Sequence, residues 1–86
     1  MIELTAEDIE DQELIDRTME LFAKLLGLAA LKANKPGAVV LTIIDLMAAE
    51  GLLMHNRLYG TDTDFLLAKH IEHVRMALET KRAREH

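Results

Sequence analysis

The amino-acid sequence predicts a small all-α protein built from three helices. Half of its 86 residues are hydrophobic and only 3% are aromatic, so Leu, Ile, Val, Ala and Met dominate, as is typical of helix bundles. Apolar residues recur at helical spacing in three stretches that Pro and Gly signals separate. We predict helices over 12–33, 37–58 and 62–83, with short connections that make sequential neighbours antiparallel.

The first helix has the clearest amphipathic pattern. Residues 1–11 form an acidic N-terminal segment in which Thr5 and Asp8 have the spacing of a capping box. The helix is predicted to begin near Gln12 and to end before 34–37, a segment that contains Asn, Pro and Gly. Its apolar stripe consists of Leu14, Ile15, Thr18, Leu21, Phe22, Leu25, Leu26, Leu28 and Ala29.

The stretch 38–54 is the most apolar part of the chain, with only Thr42, Asp45 and Glu50 as polar residues. At about 100° per residue, its large apolar side chains cover most of the helix circumference. Two flanking helices can enclose only part of such a helix. The sequence therefore predicts a homodimer or higher oligomer, with an interface at or near Val40, Ile43, Ile44, Asp45, Met47 and Ala49.

Two features of this helix have alternative interpretations. Its narrow stripe of small and polar residues meets either solvent or a symmetry mate. Gly51 either lies inside the helix, at a cost of about 1 kcal/mol relative to Ala, or follows the end of the helix. The narrow stripe consists of Ala38, Thr42, Asp45, Ala49 and Asn56.

The third helix is predicted to follow Gly60, because the segment 61–64 supplies several N-cap candidates. Its apolar residues recur at spacings of four, three and four, and they are Leu67, Ile71, Val74 and Leu78. Residues 80–86 are predicted to form a frayed basic tail. Its bases have the charge that the C-terminus of a helix favours.

Charge and composition predict a single cytoplasmic domain over residues 1–86. The net charge is −5, and residues 1–20 carry eight acids and one base. The chain therefore has no general basic face for nucleic acid or anionic lipid. No secretion signal is recognisable at the N-terminus. Asp45 and Glu50 would each cost about 2.5 to 3.5 kcal/mol in a bilayer, so we expect no membrane span.

The pattern of chemically reactive residues disfavours an enzyme. Serine and cysteine are absent, and no phosphate-binding loop occurs. His70 and His73 share a predicted helix, but a zinc or iron site needs further ligands. We therefore expect no metal and no cofactor. A metal-dependent enzyme that uses His70, His73 and carboxylates remains as an alternative.

A second alternative comes from the run that begins at Ile43, continues through Glu50, Gly51, Leu52 and Leu53, and reaches Gly60. This run resembles the recognition helix and wing of a winged-helix domain. The resemblance implies a DNA-binding transcriptional regulator, for which Lys81, Arg82 and Arg84 are the candidate nucleic-acid contacts. The corresponding recognition helix, 39–49, has no Arg, Lys, Asn or Gln to read base edges.

By elimination, the sequence favours a noncatalytic interaction or regulatory module that acts as a homo-oligomer. Its expected partners are itself and another protein. The candidate surface for that protein is either the acidic face of the first helix, formed by Glu13, Asp16 and Glu20, or an apolar groove beside the third helix.

Overall fold

The computed structural model describes residues 3–85, which form three α-helices. They are α1 (Ala6–Lys32), α2 (Pro36–Tyr59) and α3 (Thr63–Arg84). No strand occurs within residues 3–85. The predicted all-α, three-helix fold is confirmed, and both ends of α2 and of α3 lie one residue from their predicted positions.

The start of α1 was predicted wrongly. The helix begins at Ala6, well before Gln12, because the capping box of Thr5 and Asp8 is formed. The Asp8 N–H donates to the Thr5 hydroxyl at 3.1 Å, and the Thr5 N–H donates to the Asp8 carboxylate at 3.0 Å. These bonds satisfy two donors that a helix start leaves unpaired. Bonds from the Thr5 backbone and side chain also lower the pKa of Asp8.

A three-residue connection separates α1 from α2. Ala33 is extended, and its N–H donates to the Ala29 carbonyl at 3.0 Å. Pro36 is the first residue of α2, where its missing N–H costs nothing and its fixed φ suits a helix. The steric effect of Pro36 on Lys35 favours an extended conformation, so the chain leaves one helix before it begins the next.

The helix α2 continues through Gly51 and ends at Tyr59. Gly60 follows it with a φ of 71°, a left-handed conformation that glycine adopts at low cost. The Asn56 side chain donates to the Thr61 carbonyl at 2.7 Å. Asp62 then caps α3 by accepting hydrogen bonds from the Asp64 and Phe65 N–H groups. Together these bonds define the α2–α3 connection.

Substitution by alanine should have opposite effects at Gly51 and Gly60. A Cβ on Gly51 meets nothing within 4 Å in the chain, so Gly51→Ala should stabilise α2 by about 1 kcal/mol. Gly60→Ala should destabilise the protein by about 1 to 2 kcal/mol, because alanine disfavours the left-handed conformation. Thermal unfolding of the two variants beside the unsubstituted protein measures both effects. A destabilising Gly51→Ala would instead show that another chain approaches α2 closely at this position.

The C-terminal part of α3 is helical as far as Arg84, one residue beyond its predicted end. Residues 80–84 therefore belong to the helix and not to the predicted frayed tail. The Thr80 hydroxyl donates to the Met76 carbonyl at 3.0 Å. Basic residues in the last turn stabilise it by complementing the helix dipole. Residues 1 and 2 of the acidic N-terminal segment, and His86 of the predicted tail, lie outside the described residues.

The chain divides into two compact units, Met1–Ile44 and Asp45–His86. The first unit contains α1 and the beginning of α2, and its half-buried residues lie on either side of the α1–α2 connection. In the second unit, half-buried residues of α2 and α3 lie on either side of the α2–α3 connection. These residues are Phe22, Leu26, Ala29, Ala30, Ala33, Val39, Val40 and Ile43 in the first unit, and Ala48, Leu52, Asn56, Thr61, Thr63, Leu66 and His70 in the second.

Candidate functional site: an exposed apolar surface

Within residues 3–85, no side chain is buried in the isolated chain. Both units expose large hydrophobic side chains, among them Leu14, Leu25 and Leu41 in the first unit and Leu58, Phe65 and Met76 in the second, each at least 57% accessible. Exposed apolar patches of this extent mark surfaces that bind a protein or a membrane.

The six predicted interface residues of α2 differ in their exposure. Val40 and Ile43 are half-buried, whereas Asp45, Met47 and Ala49 are exposed. Ile44 keeps 42% of its surface accessible. The neighbouring Leu41 and Leu46 are also exposed, so apolar side chains of α2 point to open space in several directions. No residue of α2 is buried.

An apolar stripe in the N-terminal half of α1 is uncovered. We call it the α1 stripe, and it consists of Leu14, Ile15, Thr18 and Leu21. Leu14 is 65% exposed, and the other three are exposed as well. The first half-buried residue of α1 is Phe22. Everything before it within the described residues therefore lacks cover from the chain.

A second uncovered stripe lies in the C-terminal half of α3. We call it the α3 stripe, and it consists of Ile71, Val74 and Leu78. All three are between 42% and 52% exposed. His70 is the last half-buried residue of α3 among those described. The two stripes thus lie at opposite ends of the sequence, on helices that both extend well past their half-buried residues.

The residues predicted to bind a partner or a metal are exposed, except His70, which is half-buried. Glu13, Asp16 and Glu20 are exposed on α1, and Asp16 accepts a hydrogen bond from the Gln12 side chain at 3.0 Å. His73 is exposed, and His70 is half-buried beside it on α3. Within residues 3–85, no three His, Asp or Glu side chains are grouped closely enough to hold a metal ion.

The candidate nucleic-acid residues Lys81, Arg82 and Arg84 lie in the last turn of α3, exposed to solvent. The segment that would correspond to a wing is helical as far as Tyr59, since α2 continues through Gly51. The resemblance to a winged-helix domain therefore has no structural counterpart in this segment. A basic helix end remains, and the segment that would correspond to the recognition helix, 39–49, has no Arg, Lys, Asn or Gln for base contacts.

By length and composition alone, α2 could also cross a membrane. Core helices of soluble proteins pass the same test, so this property by itself assigns no location. Asp45 and Glu50 lie within the helix.

The sequence predicts which positions of the three helices are apolar. It does not predict how small a part of the apolar surface of each helix is covered. The lengths of the helices give a partial indication of this exposure. A 27-residue α1 and a 22-residue α3 have more apolar positions than the short α2 segment of their own unit can contact. Comparison with known proteins adds no assignment, because no family model, curated protein or solved structure is significantly similar to the chain.

Proposed function

We propose that this protein is a small, noncatalytic, cytoplasmic interaction module that acts as a homodimer or higher oligomer. The observation that supports the proposal is the lack of any buried side chain in the described part of the chain. Conformational entropy opposes folding by about 1 to 2 kcal/mol per residue for the backbone alone. Burial of apolar surface is the main term that offsets it. A second copy supplies that burial.

The exposed side chains have the chemical character that such assembly needs. Obligate homodimers bury about 2,000 to 5,000 Å² in interfaces that are more hydrophobic than those of transient complexes. Interfaces of this class resemble a domain core cut in half. The Leu, Ile, Val and Met side chains exposed on all three helices have the composition of such a core.

A second protein is the expected further partner of the assembled form. Glu13, Asp16 and Glu20 are exposed, and on our projection they lie away from the α1 stripe, so they remain accessible when that stripe is covered. A basic partner surface would complement them. Self-association uses the surface formed by Ile44, Met47 and their neighbours on α2. The other protein binds the acidic face of α1.

Sedimentation equilibrium of the purified protein at micromolar concentration tests self-association. We expect a single folded species with at least twice the chain mass. A stable, folded monomer would overturn the proposal. Flotation with neutral phosphatidylcholine vesicles is the companion measurement. Helical protein that floats with the vesicles, and that does not self-associate without them, would likewise overturn the proposal in favour of a membrane-bound form.

A further inference from the structure

The α1 and α3 stripes differ in the charges beside them. On a projection of about 100° per residue, three acids lie within about 60° of Leu14: Glu7, Glu10 and Asp11. Arg17 is the one base at the margin of the same stripe. The α1 stripe is therefore preceded, on the same face of the helix and toward its start, by a cluster of acids.

The margins of the α3 stripe have the opposite charge. On the same projection, three bases lie within about 60° of Leu78: Arg75, Lys81 and Arg82. Glu72 and Glu79 lie about 100° or more away. Glu85, the C-cap residue, lies about 20° from Leu78 on the same projection, so one acid accompanies the three bases at this end of the helix. The α3 stripe is therefore an apolar surface with basic margins, in a chain whose net charge is −5.

We infer that the α3 stripe of a second copy covers the α1 stripe, with the two helices antiparallel. This inference rests on the proposed self-association and specifies which helices of the two copies are in contact. Each stripe lies beyond the half-buried residues of its own unit, and the two stripes have similar length and complementary charge. An antiparallel arrangement also places the acidic start of α1 beside the basic end of α3, which favourably opposes the two helix dipoles.

The charges disfavour the simplest alternative, in which α1 pairs with α1 of the second copy. Residues 1–20 carry a net charge of −7, and two such segments would repel each other across an apolar contact. Like charges placed together in an interface cost several kcal/mol. In a two-fold dimer, by contrast, the α1–α3 contact occurs twice, once on each side of the axis.

Charge reversal gives a sharp test. One variant carries Glu10→Lys and Asp11→Lys, and the other carries Lys81→Glu and Arg82→Glu. Each variant alone places like charges across the proposed contact, so we expect its self-association to weaken by about tenfold or more at low salt. In an equimolar mixture every contact is complementary again. Sedimentation and circular dichroism should then show a helical hetero-oligomer that contains both variants.

Matched controls reverse the same number of charges away from the stripes. They are Glu13→Lys with Glu20→Lys on α1, and Lys69→Glu with Arg84→Glu on α3, and both should self-associate as the unsubstituted protein does. Because the mixture restores assembly, a variant that fails to fold alone still reports on the contact.

Three results would overturn the inference. Both variants could self-associate normally, the mixture could fail to restore assembly, or only one of the two variants could be impaired, because a contact between α1 and α3 must be sensitive to charge reversal on either side. An α1 variant that self-associates more strongly than the unsubstituted protein would indicate α1–α1 pairing, since its substitutions relieve the repulsion between two acidic segments. An unsubstituted protein that is monomeric would instead refute the proposed function.

Discussion

Replacing Ile44 by Asp is expected to abolish assembly and folding together. Ile44 lies near the middle of α2 and is 42% exposed in the isolated chain, so an oligomer has much of this side chain still to cover. Aspartate removes the apolar contact and adds an unpaired charge to the interface, a combined cost of about 3 to 5 kcal/mol per copy. Small domains have a total stability of only about 5 kcal/mol or little more.

Circular dichroism and sedimentation of the Ile44→Asp protein measure this effect. We expect the helical signal in circular dichroism and the oligomer in sedimentation both to be lost. Ile44→Leu is the matched control, because it keeps volume and polarity and should cost less than about 1.5 kcal/mol. An Ile44→Asp protein that remains helical and monomeric would contradict the proposed coupling of folding to assembly. One that remains helical and oligomeric would show that Ile44 faces solvent in the assembly.

Dilution should unfold the unsubstituted protein. If the core forms only between copies, stability depends on the concentration of the chain. For a dimer, a tenfold change in concentration alters the free energy of assembly by about 1.4 kcal/mol, which corresponds to about 4 °C in Tm for a two-chain unit of this size. Thermal unfolding across three decades of concentration, followed by circular dichroism, measures the slope.

Glu13→Gln is a suitable control for the dilution series, since it changes an exposed residue outside the proposed interface and should leave the slope unchanged. A Tm independent of concentration, together with a helical signal that survives dilution to the lowest measurable level, would show that one chain folds by itself. Self-association would then be an addition to a stable monomer, contrary to the proposal.

Local sequence signals located most of the helix ends. Pro36, Gly60 and Asp62 act through their own backbone or side chain, so their effects can be read without knowing what surrounds them. The start of α1 was missed although Thr5 and Asp8 were recognised as a capping box. Asp11 projects onto the apolar face of the helix, and a carboxylate on that face predicts a later start, near Gln12. In the structure the cap determines the start, because an exposed helix face tolerates a carboxylate.

The sequence also could not distinguish the two possibilities for Gly51. Glycine costs about 1 kcal/mol inside a helix and is common after a helix end. The helix continues through Gly51 if the flanking residues gain more free energy from helical structure than the glycine costs. In the structure they do, and the next glycine, Gly60, ends α2 instead.

The sequence by itself determined three helices, their approximate limits and the apolar face of each, because backbone preferences and 3.6-residue periodicity are local properties. Only the tertiary structure decided which apolar residues the chain covers. Burial depends on contacts between residues far apart in sequence. Those contacts half-bury positions such as Val40 and Leu52 beside the connections. They leave Ile44 exposed in α2, and the α1 and α3 stripes exposed in the outer helices.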